Sequence, residues 1–172
     1  MLQSFKGSAF RAHNPKWAFQ PESGEGAAST GGRFNPPGTS ALYLSLGYES
    51  AIIEAQQGFP GKFQPLTICS YSVELDNIAD LRDPTVRDHF QISEQAMACG
   101  WAMYAVSGDK APSWAIAEAL RSKGACGILV PSYANNAKAN ATNLVLLQWD
   151  QASVKAIDDD NRLPINQDSW LV

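Results

Sequence analysis

The sequence predicts an α+β protein built on a mixed, mainly antiparallel sheet with flanking helices. Strand-like and helix-like segments follow one another without the regular βαβ alternation that a doubly wound sheet requires. The segment from Pro65 to Leu75 sets Leu66, Ile68, Ser70 and Ser72 against Thr67, Cys69, Tyr71 and Val73, the alternation of a strand. Neither the G-x-G-x-x-G fingerprint nor a P-loop is present, so the two common nucleotide-binding parallel folds are not indicated.

Taken in order, Ser8 to Ala12 forms a first strand around Phe10 and carries Arg11. His13 to Thr30 is rich in Gly, Ser, Pro and Glu and is expected to be irregular, a length at which loops are often functional. Ser40 to Leu46 is a strand. Tyr48 to Gln57 has an apolar stripe at Tyr48, Ala51, Ile52 and Ala55 and is a helix stopped by Gly58, with Pro60 beyond. Asp80 to Asp83 turns into a short helix that starts at Pro84 and runs to about Phe90, and Ser93 caps a further turn through Gly100. Pro112 to Lys123 has proline at its start, an apolar stripe at Trp114, Ile116, Ala117 and Leu120, and Gly124 after it, the marks of a helix. Cys126 to Val130, Asn143 to Trp149 and Ser153 to Ile157 complete the strands.

At 172 residues the chain is expected to make one domain, 1–172, and its hydrophobic share of 45% suits a packed globule. A net charge of −4 leaves no broad basic footprint, so direct nucleic-acid binding is not expected. Cys69, Cys99 and Cys126 show no paired spacing and read as free thiols in the cytoplasm. The first residues lack a signal-peptide core and no apolar run is long enough to span a bilayer. His13 and His89 stand near no cysteine or carboxylate at ligand spacing, so no metal site is expected.

The functional lead is Gly31-Gly32-Arg33-Phe34-Asn35-Pro36-Pro37-Gly38-Thr39. Two glycines and two prolines shape a loop around one arginine, whose planar fork suits phosphate oxygens. Arg33 can equally pin its own loop by bonding carbonyls. Arg11 would give a second cation for a diphosphate. Tyr43 faces opposite to Leu42 and Leu44, and its ring can stack on a flat heterocycle. Glu49 and Glu54 lie about 140° apart on a helical wheel, so one should point inward. Glu54, in the apolar run Ala51-Ile52-Ile53-Glu54-Ala55, is a carboxylate able to hold ribose or steady an oxocarbenium-like centre. Ser132, after the strand Gly127 to Pro131, would orient a ligand, since no nucleophile elbow surrounds it. Asn35 and Asn143 are further polar candidates.

Phe10-Arg11, the Gly31 to Gly38 stretch, Leu42-Tyr43-Leu44-Ser45, Ile53-Glu54, Val130-Pro131-Ser132 and Asn143-Leu144-Val145-Leu146 together resemble the RES domain family. That family is named for an arginine, a glutamate and a serine; Phe34 stands where tryptophan is frequent. The resemblance implies an ADP-ribosyltransferase-like fold and a toxin of a toxin–antitoxin pair, with an Xre-type helix-turn-helix antitoxin as partner. It implies destruction of NAD, a substrate and not a cofactor, by splitting nicotinamide from ribose with water or phosphate as acceptor. ADP-ribosylation of a host protein and a non-catalytic nucleotide-binding module are the alternatives, and self-association stays open. By position, Arg11 and Arg33 would bind phosphates or ribose, Tyr43 would pack on nicotinamide, Glu54 would stabilise the anomeric centre and Ser132 would orient it. Asn35 and Ser45 complete the expected ligand contacts, and either arginine can be the name-giving one.

Overall fold

The computed structural model describes residues 1–56 and 63–170. Six strands form one sheet: β1 (Leu2–His13), β2 (Leu42–Ser45), β3 (Thr67–Asp80), β4 (Gly127–Pro131), β5 (Thr142–Leu146) and β6 (Val154–Ala156). The helices are α1 (Glu25–Thr30), α2 (Tyr48–Ala55), α3 (Pro84–Phe90), α4 (Glu94–Met97), α5 (Trp101–Ser107) and α6 (Pro112–Ser122). No helix among the described residues is long and apolar enough to cross a membrane.

The strand order is β1-β2-β5-β4-β3-β6, and β1 also pairs with β3. The pairings therefore close a circuit, β1–β2–β5–β4–β3 and back to β1. Every pair is antiparallel except β3–β4. The expected α+β class with a mainly antiparallel sheet and flanking helices is what the chain adopts.

Side-chain alternation sorts the apolar residues into two cores. One cluster, including Ala9, Leu42, Leu44, Tyr71, Val73, Leu129, Leu144 and Leu146, draws its buried members from the strands, with Leu46, Trp149 and Leu163 packed against it. The other lies on the opposite face, where Ile128, Val130 and Val145 meet Val86 of α3, Met97 of α4 and Ile116, Ala117 and Leu120 of α6. Strands β4 and β5 are thus apolar on both faces, which is why their sequences run almost unbroken in hydrophobic residues.

Local signals set most boundaries. The Asp83 carboxylate accepts the Thr85 N–H at the start of α3, and Ser93 Oγ accepts the Ala96 N–H at the start of α4. Pro112 opens α6, and Gly124 follows it with φ of 85°. The segment expected to be irregular, His13 to Thr30, contains a 3-10 turn at Pro15–Trp17 and the helix α1. The first strand runs from Leu2 and β3 continues to Asp80, both longer than the sequence pattern indicates. The stop expected for α2 at Gly58 and Pro60 lies outside the described residues.

Candidate active site

The loop from Gly31 to Thr39 is held by its own polar groups. Gly31 adopts φ of 77°, and a Cβ there would lie 3.0 Å from Pro37 Cδ. Gly32 and Asn35 exchange backbone hydrogen bonds of 2.9 and 3.4 Å, a tight turn that sends Phe34 into the core and Arg33 towards a cavity. The Phe34 N–H donates to Tyr43 Oη at 2.9 Å, and that hydroxyl donates to Asn35 Oδ1 at 2.7 Å. Asn35 Nδ2 in turn donates to the carbonyls of Ala27 and Thr39 at 2.9 and 2.8 Å. From α6, Trp114 Nε1 donates to the Gly32 carbonyl at 2.8 Å and Ser113 Oγ to that of Arg33. Burial raises the Tyr43 pKa above its ordinary value, so its proton stays available for Asn35.

Arg33 Nη1 donates to the carbonyls of Cys99 and Met97, at 2.7 and 3.2 Å, and the guanidinium lies 4.4 Å over the Tyr133 ring. Arg11 Nη1 donates to Ser23 and Pro21 carbonyls at 3.0 and 3.4 Å. Burial lowers the Arg11 pKa, with Tyr71 and Cys69 opposing the shift. The buried Tyr71 hydroxyl donates to the Pro21 carbonyl at 2.8 Å and lies 2.7 Å from His13 Nε2. Since the Tyr71 proton is committed to Pro21, His13 donates through Nε2. Burial, with Arg11 adding to it, pushes the His13 pKa down to about 3, so this ring is neutral.

On α2 the two glutamates part as the helical wheel requires. Glu49 is exposed and pairs with Lys138, whereas Glu54 lines the cavity. Ser132 Oγ donates to Glu54 Oε1 at 2.5 Å, and Asn143 Nδ2 donates to the same oxygen at 2.6 Å. Ser45 Oγ donates to Asn143 Oδ1 at 2.8 Å. Residues from β2, α2, β5 and the end of β4 therefore converge on one carboxylate.

The cavity is about 350 Å³, within the range of small-molecule sites. Arg11, Arg33, Tyr43, Ser45 and Glu54 all line it. Ser132 reaches it through Glu54 and does not itself form its wall. Asn35 stands apart: its side chain is fully buried and committed to its own loop and Tyr43, so the expected ligand contact is replaced by a strut. Arg33 combines the two readings that the sequence leaves open, since it lines the cavity and bonds backbone carbonyls, and Arg11 does the same.

Trp101 and Tyr133 also line the cavity and were not legible as site residues. Tyr133 directly follows Ser132 at a strand end, a place that could have suggested it. Trp101 follows Gly100 in an apolar stretch with no marker of a site.

Comparison by sequence with curated proteins gives no match. In fold the chain is similar to one in the crystal structure of the M. tuberculosis MbcT–MbcA toxin–antitoxin complex, with a TM-score of 0.66. The identity is 19%, over 91% of this chain and 84% of that one, so the likeness speaks for the fold. The family model of the RES domain matches residues 8–166, nearly the whole chain and every residue of the site just described; the chain belongs to the RES domain family.

Proposed function

We propose that this chain is the toxin of a toxin–antitoxin pair, with an Xre-type helix-turn-helix protein as its antitoxin, and that it degrades NAD. In this reading the domain is single, its fold is ADP-ribosyltransferase-like, and NAD is consumed as substrate. Membership of the RES domain family supports the reading, as does a fold shared with a chain of a toxin–antitoxin complex. The observation that carries it is the Glu54 carboxylate, gripped by Ser132 and Asn143 in a cavity that also holds Arg11 and Arg33. Guanidinium groups suit the diphosphate of NAD, and an anion beside the ribose suits positive charge at its anomeric carbon.

The reaction follows from those charges. The bond between the ribose anomeric carbon and the pyridinium nitrogen breaks, and neutral nicotinamide leaves with the electron pair. Glu54 stabilises the resulting oxocarbenium-like centre. Water adds to that carbon and releases a proton to give ADP-ribose, or phosphate adds to give the ribose phosphate ester. Tyr43, which lines the cavity, packs on nicotinamide, and Ser132 keeps Glu54 oriented.

Purified protein mixed with NAD should release nicotinamide, followed by chromatography with and without phosphate. Glu54→Ala and Arg33→Ala should each lower the rate by about 100-fold or more, the usual loss on removing a transition-state charge partner. Folded wild-type protein that leaves NAD intact under both conditions refutes the proposal.

A further inference from the structure

We propose that Ser45 is a positioning residue that acts on Glu54 through Asn143. The inference rests on the reaction proposed above. A primary amide has a donor end and an acceptor end of nearly the same shape, so its orientation must be set by its neighbours. Here the neighbours agree. Glu54 Oε1, which accepts only, takes the Nδ2 end of Asn143 at 2.6 Å, and Ser45 Oγ donates to the opposite end, Oδ1, at 2.8 Å and so anchors the amide in that direction. The flipped amide would set its oxygen against the carboxylate and leave two acceptors facing each other.

The sheet makes this relay possible. Ser45 and Asn143 are direct partners across β2 and β5, and Asn143 is opposite Val130 across β5 and β4. Cross-strand partners on one face approach closely enough for their side chains to bond. Ser45 is almost completely buried, so its hydroxyl is shielded from competing water. Ser132, two residues beyond Val130, donates to the same Glu54 oxygen. Among the described residues, two donors thus hold the carboxylate, and one of them is anchored by a third side chain. A ligand hydroxyl meets a carboxylate whose direction is already set, which is how a positioning group raises turnover without tightening binding.

The test compares Ser45→Ala, Ser45→Thr, Asn143→Ala and the Ser45→Ala/Asn143→Ala pair by steady-state nicotinamide release. Ser45→Ala should lower kcat about tenfold with KM for NAD changed by less than about twofold, and Ser45→Thr should recover most of the loss. In the Asn143→Ala background, Ser45→Ala should add nothing, because the residue it aims is gone. An unchanged kcat for Ser45→Ala, or an additive loss in the double variant, overturns the relay. A second measurement needs no turnover: in 15N-labelled protein, the Asn143 side-chain amide protons should exchange with water about tenfold faster in Ser45→Ala than in wild type. Equal exchange rates also overturn it. If wild-type protein releases no nicotinamide while the exchange rates differ, the reaction fails and the relay stands.

Discussion

Tyr43 and Gly32 meet at a distance no side chain could share. A Cβ on Gly32 would lie 2.6 Å from Tyr43 Oη and 2.7 Å from Asn35 Oδ1, so the glycine is required by packing and not by its backbone angle. Gly32→Ala should force the hydroxyl off Asn35 and cost roughly 1–3 kcal/mol of stability, readable by urea denaturation. His13 gives a prediction of different kind. Its folded-state pKa, about 3, lies below its ordinary 6.5, so between those values the unfolded chain binds a proton that the folded chain does not. Its contribution is whole above pH 6.5 and declines as pH falls towards 3, by up to about 1.4 kcal/mol per unit. Urea midpoints measured at about pH 7 and about pH 5 should fall less on acidification for His13→Gln than for wild type. At this scale the sequence was informative where one residue has one geometric choice. Glu49 and Glu54 had to diverge on a helix, and they do. Asn35 was opaque because an amide facing a ligand and an amide facing three backbone carbonyls have the same neighbours in sequence.

Among the elements, β3 shows how one residue redirects a strand. Leu75 pairs with Phe5 and Ile78 with Gln3, so β3 carries one more residue than β1 between those points. Asn77 takes up that excess with φ of 62° in the left-handed region. Before this bulge β3 pairs with β6 through Tyr71 to Val73; after it, β3 pairs with β4 through Ile78 to Asp80. Asn77→Gly should therefore fold at least as stably as wild type, whereas Asn77→Ala should lose about 1 kcal/mol, compared by thermal or urea unfolding. The polar run Glu74, Asp76, Asn77 interrupts the apolar alternation, which is why the pattern suggested an end near Leu75. Helix α5 was missed for the opposite reason. Trp101 to Val106 is apolar almost throughout and no residue of the helix is fully buried, so no stripe marks a period. Helices α3, α4 and α6 were legible because capping side chains or proline mark their starts.

For the molecule as a whole, the class could be read from the order of elements, but the closure of the sheet could not. Pairing of β1 with both β2 and β3 depends on contacts far apart in the chain, and alternation within a strand says nothing about which strand lies beside it. The convergence of Arg11, Arg33, Tyr43 and Glu54 is a product of that closure. The junctions of the circuit are unequal. Strands β1 and β3 run paired along almost their full length, while β1 and β2 share a single registered pair, Phe10 opposite Ser45. Both of those residues border the cavity. The chain thus leaves its ladder unzipped beside the cavity in which the proposed substrate would lodge. A guest bridging the gap would serve as a missing rung, tightening the whole girdle when it arrives and loosening it when it departs.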